Sequence, residues 1–309
     1  MKVAVIGLGK MGVALVYRLV NAGIPVIGYD PEVKARRKAA TYGAHVTDSA
    51  EHCAQQATII WLMIPAGELV DAVLQHLKPY LQKGTVVIDG GNSHFTDSVR
   101  RARSLKTKGI HFIDCGTSGG LAGKTKGFSL MLGGDKKIVS DLEPVFQALA
   151  APQGYAYMGP SGAGHYVKMV HNGIEYAVLQ AYAEGFHILH EGAYKNLDLE
   201  MVSHVWSHGS IIRSWILDLA HSIFKRDQKF ENVDGAIQES GMGAWTVQEA
   251  YKQKIPAVLL KDALDIRGWS RDTGGNYATK LVALLRHEFG GHSVIKKEKK
   301  VKSKKKGTG

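Results

Sequence analysis

The first 165 or so positions alternate two patterns. Short apolar runs rich in β-branched residues, KVAVIG (2–7), IPVIGYD (24–30), ATIIWLMI (57–64), GTVVIDGG (84–91), IHFIDCG (110–116) and FSLMLGG (128–134), are bounded by Gly, Asp or Pro. The stretches between them are long enough for helices, which predicts βαβ units and a doubly wound parallel α/β sheet. From about residue 161 to Phe289 the apolar positions recur at helical spacing with hardly a strand signal, which predicts an all-helical second part. The expected divisions are 1–165 for the α/β domain, 166–292 for the helical domain and 293–309 for a lysine-rich, disordered tail.

One helical stretch breaks its own pattern. In GHYVKMVHNGIEYAV (164–178), Val167, Met169, Val170, Ile174, Ala177 and Val178 are the apolar residues of a buried helix. Lys168, His171, Asn172 and Glu175 run through them at offsets of three, four and seven, which place all four on one face. Burying such a stripe without partners costs several kcal/mol. It must therefore meet water, a polar network or a ligand. Its place at the end of the α/β part favours the ligand, because substrate sites often lie between domains.

GLGKMG, from Gly7 through Leu8, Gly9, Lys10 and Met11 to Gly12, fits the dinucleotide fingerprint G-x-G-x-x-G; it follows an apolar strand and opens a helix. This makes residues 1–165 a Rossmann NAD-binding domain. The glycines let main chain approach a pyrophosphate, and the helix N-terminus supplies free N–H donors. Asp30 closes the second strand, where a carboxylate accepts from the adenosine ribose diol and repels a 2′-phosphate, favouring NAD over NADP. Lys34, Arg36 and Arg37 follow closely, either as a phosphate clamp or as a solvated helix face. Ile64, Pro65, Ala66 and Asn92 lie at strand carboxyl ends, where such sheets bind their ligands, and are assigned to the same cofactor site.

Charge and cysteines change the picture little. Residues 296–306 hold eight lysines and one glutamate, +7 of the chain's +11, so the remainder carries only +4. The tail has no aromatic residue for base stacking and no apolar face for a membrane, so neither a specific nucleic acid nor a membrane is expected as partner. The longest apolar run is too short to cross a bilayer, and the first residues enter a strand pattern with no basic leader; a cytoplasmic protein is expected. Cys53 and Cys115 lack metal-type spacing and read as packed, reduced thiols. His204 and His208, four apart, find no third ligand at suitable spacing, so no metal is expected. Trp206, Trp215, Trp245 and Trp269 read as core or dimer-interface anchors.

GLGKMG, DGGNS, GTSGG, GPSGAGHYVKMVHNGIEY and RHEFGGH, in that order over residues 1–292, resemble the β-hydroxyacid dehydrogenases and, within them, the short, NAD-preferring form of the decarboxylating 6-phosphogluconate dehydrogenase family. The resemblance implies Lys168 as general base and Glu175 as the acid, with no metal. It implies Asn92, Ser118, Gly119, Gly120, His171 and Asn172 as substrate contacts, with Tyr176 and Arg267 on the 6-phosphate of 6-phosphogluconate. It implies that Arg286 and His292 reach into a partner subunit's site, making a homodimer or tetramer with shared sites. One departure stands out. Long-form members carry KGTGKW where this chain has Ser240, Met242 and Ala244 in SGMGAW, leaving fewer donors for a phosphate. A non-decarboxylating relative acting on a smaller acid would share Lys168, but gives no reason for Glu175 or RHEFGGH. A nucleic-acid or membrane-surface binder acting through the lysine tail is the remote alternative.

Overall fold

The structure is a computed structural model that describes residues 1–295; the lysine run of the expected tail lies outside the described residues. Two compact units are present, Met1–Gly173 and the chain from Ile174 onward. The division falls inside one long helix.

In the first unit β1 (Val3–Ile6), α1 (Lys10–Asn21), β2 (Val26–Tyr29), α2 (Val33–Ala40), β3 (His45–Val46), α3 (Ala50–Gln55), β4 (Ile59–Leu62), α4 (Glu68–Leu77), β5 (Val86–Asp89), α5 (Phe95–Lys106) and β6 (His111–Ser118) alternate as the apolar pattern predicts. They are followed by α6 (Gly123–Lys126), β7 (Phe128–Gly133), α7 (Lys136–Asp141), α8 (Glu143–Leu149) and β8 (Ala150–Gly159). The sheet order is β3-β2-β1-β4-β5-β6-β7-β8. Alternate residues face opposite cores: Val3, Val5, Ile59 and Trp61 pack on one side, Ala4, Ile6, Ile60 and Leu62 on the other. Burial on both faces explains why these strands read as continuous apolar runs.

The sheet is not wholly parallel. β7 runs antiparallel to β6, with Cys115 opposite Leu132. The link from Ser118 to Phe128 is shorter than a parallel crossover requires, so the chain reverses. β8 then pairs parallel with β7 at the sheet edge. β3 and β8 are additions to the six strands expected from the sequence.

The helix α9 (Ala163–Glu191) begins in the first unit and continues into the second. After it come α10 (Leu199–Ser207), α11 (Trp215–Phe224), α12 (Met242–Lys252), α13 (Val258–Thr273) and α14 (Tyr277–Gly290). Leu179, Ala183 and Phe186 of α9, spaced four and three apart, share a core with Leu281, Val282 and Leu285 of α14. A capping box between Asn276 and Thr279 starts α14, and Gly291 at φ +63° ends it. Just past that helix the Asp234 N–H donates to the Ile295 carbonyl at 2.9 Å.

Candidate functional site

The glycine turn between β1 and α1 uses each glycine differently. Gly7 has φ +94° and packs on the Met63 carbonyl, and Gly12 packs on the carbonyl of Gly7. A Cβ on Gly9 would meet nothing within 4 Å, so its main chain faces open space. No side chain caps α1. That combination suits a pyrophosphate on the helix N-terminus. The Asp30 carboxylate sits at the turn, accepting the Leu8 N–H at 2.7 Å and the Glu32 N–H at 2.8 Å. Arg36 donates to the carbonyls of Asp30 (2.6 Å) and Pro31 (3.2 Å), so it is tethered beside Asp30, while Lys34 and Arg37 are solvated. Lys10 is exposed, and Met11 packs against the core.

A buried ion network, not anticipated from the sequence, holds the next two loops. Arg101, 2% exposed, donates to Asp71 at 2.9 and 3.0 Å, to Asp89 at 3.3 Å and to the Gly67 carbonyl at 2.9 Å. Asp89 in turn accepts from the Ser93 hydroxyl at 2.7 Å and the Gly91 N–H at 3.1 Å. Arg101 thus ties the loop of Ile64, Pro65 and Ala66, which ends at Gly67, to the loop carrying Asn92. Arg101 first, and then Arg100, hold the Asp71 carboxyl well below the usual carboxylate range.

At the end of β6 the polar stripe of α9 finds partners. Fully buried Asp114 accepts the N–H groups of Gly162 (2.7 Å) and His165 (2.9 Å), capping the helix start. Gly116 admits Lys168 against the strand: a Cβ on Gly116 would lie 2.5 Å from the Lys168 Cβ. Lys168 is 4% exposed. Its Nζ lies 3.3 Å from His171 Nδ1, which is also 3.0 Å from Asn172 Oδ1; His171 Nε2 is 3.4 Å from the Ser118 hydroxyl. Asn92, in a left-handed conformation at φ +56°, exchanges two hydrogen bonds with the Thr117 main chain, at 2.8 and 3.1 Å. It therefore fixes the strand end that presents Ser118, Gly119 and Gly120. Five of the expected site residues, Asn92, Ser118, Lys168, His171 and Asn172, are brought together here.

The second unit gathers another group. The Arg267 guanidinium lies 3.2 Å from the centroid of the Tyr176 ring, and both terminal nitrogens, with the Tyr176 hydroxyl, are buried without a hydrogen-bond partner among the described residues. Burial pushes the Arg267 pKa down to about 10, with neighbouring Arg286 adding to the lowering. Arg286 is itself pushed down by burial, while Tyr176, Glu175 and Glu239 act in the opposite direction. Gly243, in the first turn of α12, packs directly on the Tyr176 ring, and no side chain caps that helix. So the chain with Ser240, Met242 and Ala244 still offers a helix N-terminus beside unpaired donors. His292 is exposed beyond α14, its ring 6.2 Å from Phe289.

Both cysteines are buried, and burial pushes each thiol up to about 12. His221 joins His204 and His208, with ring centroids 5.4 and 4.5 Å from His204, yet no three candidate ligands among the described residues could hold a metal ion. Trp206 packs against the helical core, whereas Trp215 and Trp269 are exposed. No helix among the described residues is long and apolar enough to cross a membrane.

Residues 2–172 match the NAD-binding domain of 6-phosphogluconate dehydrogenase, and residues 164–306 match its C-terminal domain. The chain belongs to the 6-phosphogluconate dehydrogenase family. It is 46% identical over 303 residues to the NAD(+)-dependent, decarboxylating 6-phosphogluconate dehydrogenase of Haloferax volcanii, across 96% of this chain and 100% of that one. A Bacillus subtilis family member of the same description is 35% identical over 283 residues, covering 86% of this chain but 60% of the relative. Among solved structures, Plasmodium falciparum 6-phosphogluconate dehydrogenase superposes with a TM-score of 0.80 at 29% identity, over 88% of this chain and 62% of that one. A Mycobacterium tuberculosis 3-hydroxyisobutyrate dehydrogenase has a TM-score of 0.74 at 23% identity, over 93% and 98% of the two chains, a likeness of fold. The chain thus matches one family member end to end and spans about three-fifths of the longer ones.

Proposed function

We propose that this chain is an NAD-dependent, decarboxylating 6-phosphogluconate dehydrogenase. The observation that carries the reading is buried Lys168, seated on Gly116 and linked through His171 to Ser118 and Asn172. Bound NAD supplies the acceptor for the hydride that leaves C3 of the substrate. Gly7, Gly9 and Gly12, with Leu8, Lys10 and Met11 between them, hold its pyrophosphate. Asp30 takes the ribose diol, which makes NADP the weaker alternative, and Ile64, Pro65, Ala66 and Asn92 line the nicotinamide side.

Lys168 takes the proton of the 3-hydroxyl. As an ammonium it can only donate, so His171 Nδ1 accepts from it and the ring proton sits on Nε2, facing Ser118. As a free amine it releases Nδ1 to donate to Asn172. The imidazole therefore changes its hydrogen-bond pattern with the charge on the lysine. The β-keto acid then loses its carboxylate as CO2, the ketone receiving the electron pair, and the lysine ammonium stabilises the resulting enediol oxygen. Glu175, two turns further along α9, protonates the carbon that lost CO2. Ser118, Gly119, Gly120 and Asn172 hold the sugar-acid oxygens. Arg267, Tyr176, Arg286 and the N-terminus of α12 hold the 6-phosphate, with His292 as a further contact.

A cytoplasmic homodimer or tetramer is the inferred assembly. Buried thiols fit a reducing compartment, and exposed apolar side chains of the second unit, among them Leu259 at 76% and Val258 at 63%, fit subunit contacts. The test is the initial rate of NAD or NADP reduction with 6-phosphogluconate, for wild type and Lys168→Ala. A fast NAD rate that collapses in the variant supports substrate, cofactor and base together. No rate from a folded protein that still binds NAD would overturn the substrate and turn attention to smaller β-hydroxy acids.

A further inference from the structure

We infer that Lys124 is a positioning residue of the substrate cradle: its ammonium, gripped between Tyr17 and Tyr42, fixes where Ser118, Gly119 and Gly120 stand relative to the helix that receives the cofactor. The inference rests on reading those three residues as substrate contacts. Lys124 acts through the loop, not on the reacting atoms.

The cradle has little stiffness of its own. Gly119 and Gly120 have φ of +117° and +52°, and glycines are the residues that move most freely in that region. The chain passes straight into one 3₁₀ turn, Gly120–Ala122, and then into α6, which has only four residues. A helix so short does not hold itself in water. Its main-chain bonds are local, from the Gly123 N–H to the Gly119 carbonyl at 3.2 Å and from the Gly127 N–H to the Gly123 carbonyl at 3.0 Å. On one side Gly123 lies against the Phe128 ring, where a Cβ would overlap it.

Lys124 supplies the tether on another side. Its Nζ donates to the Tyr42 hydroxyl at 2.7 Å and lies 4.3 Å from the Tyr42 ring centroid and 4.6 Å from that of Tyr17. The two rings meet edge to face, 5.3 Å apart at 78°, and the ammonium is attracted by both. Lys38 lies 5.1 Å from the Tyr42 centroid. Lys124 first, and then Lys38, hold the Tyr42 phenol below its ordinary value. Arg18 secures the same place through main chain, donating to the carbonyls of Lys124 (3.5 Å), Ala148 (3.1 Å) and Ala150 (3.2 Å). Tyr17 and Arg18 are consecutive residues of α1, whose first turn faces the pyrophosphate site. One helix therefore sets the spacing between the cofactor turn and the far end of the cradle. A cradle released from that helix stands in its competent position only part of the time, and the apparent affinity falls by that fraction.

The experiment compares wild type with Lys124→Met, Lys124→Arg and Tyr42→Phe. Methionine keeps the length of the side chain without charge or donor, arginine keeps both, and phenylalanine keeps the ring but removes the acceptor. Lys124→Met is expected to raise the KM for 6-phosphogluconate roughly three- to tenfold while kcat stays within about twofold, because saturating substrate selects the competent cradle. Lys124→Arg is expected to restore most of the KM, and Tyr42→Phe to shift it in the same direction by less. An unchanged KM in Lys124→Met, or a fall in kcat alone, overturns the assignment. Hydrogen–deuterium exchange of residues 118–127 without ligand tests the tether apart from the substrate. Faster exchange there in Lys124→Met, with the peptides of β1 and β4 unchanged, supports the inference, and exchange equal to wild type overturns it. Should the wild type turn over no 6-phosphogluconate, the substrate reading fails, and the exchange comparison still decides whether Lys124 fixes the loop.

Discussion

The Arg267 guanidinium carbon lies over the Tyr176 ring, 3.2 Å from its centroid, with both terminal nitrogens unpaired among the described residues. A stacked, desolvated cation of this kind destabilises the ligand-free protein and is relieved by an anion. Arg267→Met should therefore raise the melting temperature without substrate, a gain of about 1–2 kcal/mol. The same variant should lose the further rise that 6-phosphogluconate gives the wild type. Thermal melts with and without substrate test both halves.

Lys168→Ala removes the proposed base. Positioned acid–base groups contribute about 10²–10⁴-fold, so kcat should fall by that order while NAD binding persists. Stopped-flow single turnovers, paired with NAD titration, separate the two effects.

Gly116→Ala leaves Lys168 chemically intact but places a methyl group 2.5 Å from its Cβ, well inside normal contact. The lysine must shift. A misplacement near 1 Å costs roughly 10²-fold, so kcat should drop with little change in NAD affinity. Normal turnover in this variant would show that the lysine tolerates displacement and is not held to an attack geometry.

Asp30→Ala removes the carboxylate at the ribose end of the turn and the acceptor of the Leu8 N–H. The ratio of kcat/KM for NAD over NADP should fall about tenfold, the loss of one charged hydrogen bond. Measuring both cofactors in parallel checks whether Asp30 sets the preference or Arg36, tethered beside it, already tolerates a phosphate.

Asp71 gives the first unit an acid limb. Its folded carboxyl titrates below the unfolded value near about 4. The stabilisation is therefore present above that unfolded value and is lost as pH falls toward the folded one. Asp71→Asn should narrow the gap in melting temperature from wild type as pH drops from about 7 to about 3. A gap independent of pH would show that Arg101 does not depend on this partner's charge.

The sequence made legible whatever depends on local pattern. Six buried strands, the glycine turn and the polar stripe of α9 all announce themselves by spacing. β3 has only His45 and Val46, too few for any period, and β8 carries Pro152 and exposed residues because it is an edge strand. The reversal of β7 follows from a short link, which its apolar run does not encode. Arg101, Asp71 and Asp89 are far apart in the chain and individually resemble surface charges; only folding turns them into one buried network. Arg267 likewise shows its unpaired nitrogens only in three dimensions, although Trp-flanked IRGWS offers no sequence hint of burial.

The carboxylate of Asp114 sets more than the start of a helix. Each residue of an α-helix advances about 100° around its axis, so the direction of Lys168 is determined by where α9 is anchored. Two hydrogen bonds to Gly162 and His165 lock that angular phase to the sheet. One residue inserted between His165 and Lys168 would swing the lysine away from Gly116 and His171 while leaving the helix as long and as apolar as before. Residues added near Glu191 would leave Lys168 where it is. The first turn and a half of this helix aims the lysine, whereas its distal end answers to the helical core, where Phe186 packs and His190 stacks on Tyr277.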